Sequence, residues 1–162
     1  MPDRVVVCNT SPLLYLHQVG HLDLLKSLYG EILVPPAVRD ELREGRQRGF
    51  STPDVDAVSW IRIQPLRERS LLPAVVDLGL GEAEAIALAL LYPGSLLILD
   101  DALGRRIAQL SELTFTGTLG ILVRAKQAKF LQAVTPVVET LQETTMRLTP
   151  DLIGRVLVEA GE

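Results

Sequence analysis

The chain has 162 residues, 48% of them hydrophobic, which fits one domain with a substantial core and excludes a disordered protein. Its net charge of −4 excludes a protein that coats nucleic acid by charge alone and leaves room only for focal contact. One cysteine, Cys8, excludes disulfides and a thiolate metal site, and no apolar run reaches the ~18 residues of a membrane span, so the reading is a soluble, cytoplasmic protein without a membrane partner.

Arg4 to Cys8 is a β-branched run, the first buried strand, and it stops at Asn9-Thr10-Ser11-Pro12. Ser11 before Pro12 predicts an N-cap with proline at the first helical position, opening a short helix that ends before Gly20. Asn9 is thereby left at a strand's carboxyl edge. His17 and His21 stand four apart, but Gly20 interrupts the helix between them, so they read as a helix-end pair without a ligand role. A helix from Leu22 to Leu28 and a strand from Glu31 to Val34 follow, closed by Pro35-Pro36. This alternation points to an α/β fold with a parallel sheet.

A third helix runs from Pro36 to Glu44, with Glu41 on the inward stripe of Ala37 and Val38. Taken alone, Glu41 reads more simply as a stripe-edge residue reaching Arg43 or Arg46. Residues 45–53 and 65–73 read as loops around a short helix near Asp54 to Ser59 and a strand from Trp60 to Gln64. Arg46, Arg48, Arg67 and Arg69 are the candidates for a phosphate-contacting rim.

The stretch from Leu78 to Tyr92 is a helix apolar nearly all round, hence buried, with Glu82 and Glu84 near its start. Two residues apart, they point to nearly opposite faces, so only one can aim at a given site. Leu96 to Leu99 is an unbroken aliphatic run, a strand buried on both faces, and Asp100 and Asp101 follow at its carboxyl end. Ligands of open α/β sheets bind at that edge, although Asp101 also suits an N-cap for the helix from Ala102 to Leu110. A strand at Leu113 to Phe115 leads to a tight turn over Thr116 to Gly120 with Thr118 as N-cap. Helices are predicted over Ile121 to Phe130, Pro136 to Met146 and Pro150 to Ala160. Asn9, Glu41, one of Glu82 and Glu84, and one of Asp100 and Asp101 make a set of oxygen donors suited to Mg²⁺ or Mn²⁺ and to phosphodiester chemistry. A receiver-type phospho-acceptor domain also gathers acids at strand ends, but it needs a strand-end lysine, and Lys126 falls in a predicted helix.

Five motifs in order carry a family resemblance: Val-Cys-Asn9-Thr10-Ser11-Pro12-Leu, Val-Pro-Pro-x-Val-x-x-Glu41-Leu, Leu-Gly-x-Gly-Glu82-Ala-Glu84-Ala-Ile-Ala-Leu-Ala, Leu-Leu-Ile-Leu-Asp100-Asp101 and Thr116-Gly-Thr-Leu-Gly120. Together they resemble the PIN domain, over almost the whole chain, and in particular a PIN-like branch ending in Ala160-Gly161-Glu162. The resemblance implies a single three-layer α/β/α domain over residues 1–162, whose helices from about residue 118 serve packing or dimerisation. It implies an Mg²⁺- or Mn²⁺-dependent ribonuclease acting on RNA, often the toxin of a toxin–antitoxin pair with an antitoxin protein as partner, and commonly a homodimer. Carried over by position, Asn9, Glu41, Glu84 and Asp100 are the catalytic and metal-ligating residues. Glu82 and Asp101 are the alternatives, Thr10 or Ser11 supplies the orienting hydroxyl, and Thr116 stands close by. Asn9 departs from the family, whose first residue is an aspartate; its carbonyl oxygen brings no charge. That opens the alternative of a weakened module that binds RNA or a protein partner without cutting.

Overall fold

The computed structural model describes residues 4–162. Five short strands, β1 (Val6–Cys8), β2 (Ile32–Val34), β3 (Ile61–Ile63), β4 (Leu96–Ile98) and β5 (Thr114–Thr116), form a parallel sheet in the order β3-β2-β1-β4-β5. Val6 to Cys8 pair in register with Leu96 to Ile98, and Val7 pairs with Leu33 on the other side. The helices among the described residues are α1 (Thr10–Gln18), α2 (Leu24–Tyr29), α3 (Pro36–Gln47), α4 (Leu80–Leu90), α5 (Ala102–Leu110), α6 (Thr118–Gln127), α7 (Thr135–Leu141) and α8 (Pro150–Glu159).

Side chains alternate across a strand, so each strand divides between two cores. Val6, Cys8, Ile32, Val34, Leu96 and Ile98 face the larger one, filled by Leu13, Leu25, Val38, Leu122 and Val138 from the helices. Val7, Leu33, Leu97 and Leu99 face the smaller one, covered by Ile86, Leu88 and Ala89 of α4 and Ala108 of α5. This is a three-layer α/β/α arrangement. Burying each of Leu96 to Leu99 fully contributes roughly 1.5–3 kcal/mol, which explains why that aliphatic run is the spine of the sheet.

The topology decides where chemistry can sit. From β1 the chain runs outward through β2 to β3; α4 then carries it back across to β4 on the opposite side of β1. The carboxyl ends of β1 and β4 therefore flank the point where the connections diverge, the usual crevice for ligands in open α/β sheets. Asn9 and Asp100 leave the sheet there, and the Asn9 backbone N–H donates to the Ile98 carbonyl at 2.9 Å.

Several boundaries differ from the sequence expectation for local reasons. Helix α1 begins at Thr10 with Asn9 as N-cap, two residues earlier than a Ser11 cap implies, and proline is tolerated inside the first turn because its missing N–H has no helical acceptor there. Helix α3 continues to Gln47, which places Arg46 in the helix and Arg48 at its cap. Thr116 to Gly120 is not a free-standing turn. Helix α6 starts at Thr118 because the Asp100 carboxylate accepts the Thr118 N–H and caps it from another strand. Helix α7 stops at Leu141, where the Thr144 hydroxyl donates to the Leu141 carbonyl at 2.6 Å and accepts the Met146 N–H, a local turn that competes with further helix. No helix of the described residues is long and apolar enough to cross a membrane.

Candidate active site

Asp100 is the most firmly placed of the acids. Its two oxygens accept the Thr118 N–H at 2.8 Å and the Thr118 hydroxyl at 2.7 Å. Gly117 makes this possible, since a Cβ there would lie 2.7 Å from the Asp100 carboxylate. Burial pushes the Asp100 carboxyl above its ordinary range, against the opposing pull of the Thr118 hydrogen bonds and of Arg105.

Glu41 is built in the same manner from three helices. The Thr10 hydroxyl of α1 donates to one oxygen, and the Gly81 N–H in the first turn of α4 donates to the other at 3.0 Å. Burial raises its pKa, the two hydrogen bonds oppose that, and the neighbouring charges of Glu82 and Glu44 add to the rise. Glu41 therefore sits where negative charge crowds on the amino end of a helix.

The two glutamates of α4 part as their spacing requires, with Glu82 facing the site. Glu84, placed by position among the metal-facing acids, instead accepts the Ala37 N–H at 3.1 Å and lies 3.5 Å from an Arg69 nitrogen. It is only 5% exposed and caps the amino end of α3. Asp101 is the N-cap of α5, accepting the Gly104 N–H at 2.7 Å, and lines the same cleft as Asp100. Asn9 is wholly buried, and neither its side-chain carbonyl nor its amide nitrogen has a hydrogen-bond partner. Buried amides are normally satisfied, so an orphaned one at a strand's carboxyl edge calls for a missing partner.

A cleft of about 630 Å³ opens at this edge, lined by Glu82, Asp100 and Asp101 with Ser11 and Thr116 among them. Tyr15, Phe115, Met146, Leu152 and Val156 form an apolar wall, and Arg105 and Arg147 supply positive charge. Of the rim arginines expected from the loops, Arg46 pairs with Asp54, Arg48 with Glu44 and Arg69 with Glu84, and none lines the cleft. Arg105 had a legible signal, lying one helical turn beyond the capping Asp101 and so on the same face. Arg147 and the α8 wall had none.

A family model of the PIN domain matches residues 5–162, nearly the full length. This chain belongs to the PIN-domain family. A comparison with curated proteins finds no match. PIN domains are nuclease-type proteins that commonly bind RNA and generally use divalent metal ions.

The donors of this PIN domain suit such an ion by their chemistry, and Asp100 borders the cleft while Asn9 and Glu41 do not. Among the described residues no three His, Cys, Asp or Glu side chains converge as an enclosing cage. Mg²⁺ seldom needs one: it usually keeps several waters and takes one or two carboxylates together with substrate phosphate. Each oxygen of Asp100 and Glu41 has one hydrogen bond and two lone pairs, so one lone pair of each stays free, and the orphaned Asn9 carbonyl adds a neutral oxygen. All donors are hard oxygens, as Mg²⁺ and Mn²⁺ prefer.

Proposed function

We propose that this PIN domain is a divalent-metal-dependent ribonuclease that cuts RNA in the cleft at the carboxyl ends of β1 and β4. The observation that carries the reading is the joint presence of Glu82, Asp100 and Asp101 with Arg105 in one open cleft at the sheet's switch point. Asp100 and Glu82, which line the cleft, are the residues to hold Mg²⁺ or Mn²⁺, with Glu41 and the Asn9 carbonyl as the further oxygen donors. The bound ion would supply charge neutralisation on the phosphate and an acidified water.

The chain's own groups do the rest. Thr118 fixes the Asp100 carboxylate and Thr10 fixes Glu41, so neither has to be ordered when RNA arrives. The apolar wall of Tyr15, Phe115 and Met146 bounds one side of the cleft. Hydrolysis forms a bond from water oxygen to phosphorus and breaks one from phosphorus to a ribose oxygen. The water proton passes to a cleft carboxylate, and the departing oxygen is protonated from solvent. Wild-type protein should degrade labelled RNA with Mn²⁺ and not with EDTA, and Asp100→Asn and Glu82→Gln should abolish the activity while Glu84→Gln should not. RNA left intact by wild type at saturating Mn²⁺ overturns the reading.

A second reading is favoured by Asn9 and by the absence, among the described residues, of three acids grouped closely enough to hold a metal ion together: a PIN-like module that binds RNA or a protein partner without cutting. Binding without cleavage in the same assay would select it. We extend the nuclease reading to the toxin of a toxin–antitoxin pair on the family resemblance, and induced expression that halts growth with wild type but not with Asp100→Asn tests that extension. A homodimer would use the outer face of α8, where Val158 is 79% exposed beside Gly154 and Pro150. Asp151 and Arg155 on that face complement a second copy across a two-fold axis, and Val158→Asp should then yield a monomer by light scattering.

A further inference from the structure

We propose that Arg105 is a phosphate-binding residue, whose guanidinium takes the non-bridging oxygens of an RNA phosphodiester beside Asp100. The inference rests on the ribonuclease reading for its ligand class and adds a subsite to that cleft. Arg105 stands in the first turn of α5, its N–H bonded to the Asp101 carbonyl at 2.9 Å. Its guanidinium carbon lies 5.3 Å from the centroid of the Phe115 ring, so the charged plane is held against an aromatic wall and not left to sweep through solvent.

The charge of Arg105 is felt at Asp100 but is not neutralised by an ion pair inside the molecule. Among the described residues, the arginine ion pairs are made by Arg39, Arg43, Arg46, Arg48, Arg62 and Arg69, and Arg105 makes none. One of its terminal nitrogens borders the same gap at Gly117 that admits Asp100, 3.7 Å from where a Cβ would stand, yet no carboxylate oxygen lies within 4 Å of it as a partner. Its Nε–H is buried and has no acceptor at all. A buried charged donor without an acceptor is costly, and native structures satisfy it with protein, water or ligand.

The geometry names the class of ligand. Beyond the buried Nε, the two terminal nitrogens of the guanidinium present donors in a fixed fork, matched to two oxygens of one phosphate. A phosphodiester held there would lie against Asp100 with its ribose and base toward the apolar wall. Arg106, the next residue, is exposed and outside the cleft lining, and so serves as an internal control.

The test measures RNA binding and cleavage separately. Full-length protein is titrated into a fluorescein-labelled single-stranded oligoribonucleotide in EDTA, by anisotropy, across a range of KCl. Arg105→Gln should weaken binding tenfold or more and reduce the slope of log K against log salt by about 0.7, the loss of one phosphate contact to a single strand. Arg105→Lys should keep the salt slope but recover only part of the affinity, because it keeps the charge and loses the fork. Arg106→Gln should change neither. A purely structural role would lower the melting temperature of Arg105→Gln with its salt slope unchanged, and that result overturns the proposal. With Mn²⁺, cleavage by wild type alongside unchanged binding by Arg105→Gln overturns the phosphate site and leaves the ribonuclease standing. A reduced slope without any wild-type cleavage does the reverse; no RNA binding by wild type in EDTA overturns the phosphate site, and no binding or cleavage with Mn²⁺ either overturns both.

Discussion

Replacing Gly81 by alanine tests how Glu41 is held on α4. A Cβ at position 81 would lie 2.5 and 2.6 Å from the two Glu41 oxygens and 2.8 Å from its carboxyl carbon. The backbone at Gly81 is helical and accepts any residue, so space is the only objection. In a free helix the change stabilises by about 1 kcal/mol. Here the methyl displaces the end of a side chain, and the cost is the lost bond from the Gly81 N–H to a charged acceptor, about 1.5–3 kcal/mol. Gly81→Ala should therefore destabilise wild type by roughly 0.5–2 kcal/mol. With Glu41→Ala in the background the obstacle is gone, and the same substitution should stabilise by about 1 kcal/mol. Urea denaturation of the four proteins in EDTA at neutral pH gives the cycle, with an expected coupling of about 1.5–3 kcal/mol, within the range of contacting residues. If Gly81→Ala stabilises wild type as much as it stabilises the Glu41→Ala protein, Glu41 is not seated on α4 and the account of the site is wrong.

Asp100→Asn should raise the melting temperature of the metal-free protein at neutral pH, since the amide can accept the Thr118 N–H and donate to the Thr118 hydroxyl without a buried charge. Because burial raises this carboxyl's pKa, stability should fall as pH rises from the ordinary carboxylate range through the raised value, so the two proteins' melting temperatures should converge below about pH 4; a variant that melts lower at neutral pH refutes the sign. Glu162 is the opposite case: the Thr135 hydroxyl, the Val134 N–H and Lys126 hold its pKa down at about 2 from an ordinary 4.5. Its stabilisation should be present above 4.5 and disappear as pH falls toward 2, so a Glu162→Gln difference that does not change across that window counts against these contacts as a source of stability. Asn9→Asp should tighten Mn²⁺ binding by about tenfold or more, as an added carboxylate near a divalent ion contributes a few kcal/mol even at an effective dielectric of ~20. Equal affinities by calorimetry would show that Asn9 does not face the ion.

The sequence by itself determined the elements that follow from local chemistry. The aliphatic run ending in Asp100 and Asp101 could only be a buried strand with acids at its carboxyl edge, and α5 occupies the expected Ala102–Leu110 because its cap and its end are both local signals. The order of the five motifs carried the family. What only the tertiary structure decided is which side of each element faces the cleft. Periodicity places Glu82 and Glu84 on opposite faces of α4, but the packing of α3 against α4 is what brings the Ala37 N–H to Glu84 and leaves Glu82 in the cleft. The early start of α6 depends on a carboxylate 18 positions away, and Arg147 and Val156 join the cleft from segments with no local mark of function. A capping hydrogen bond or an exposed face is a property of two segments at once, and a pattern read along one segment contains only half of it.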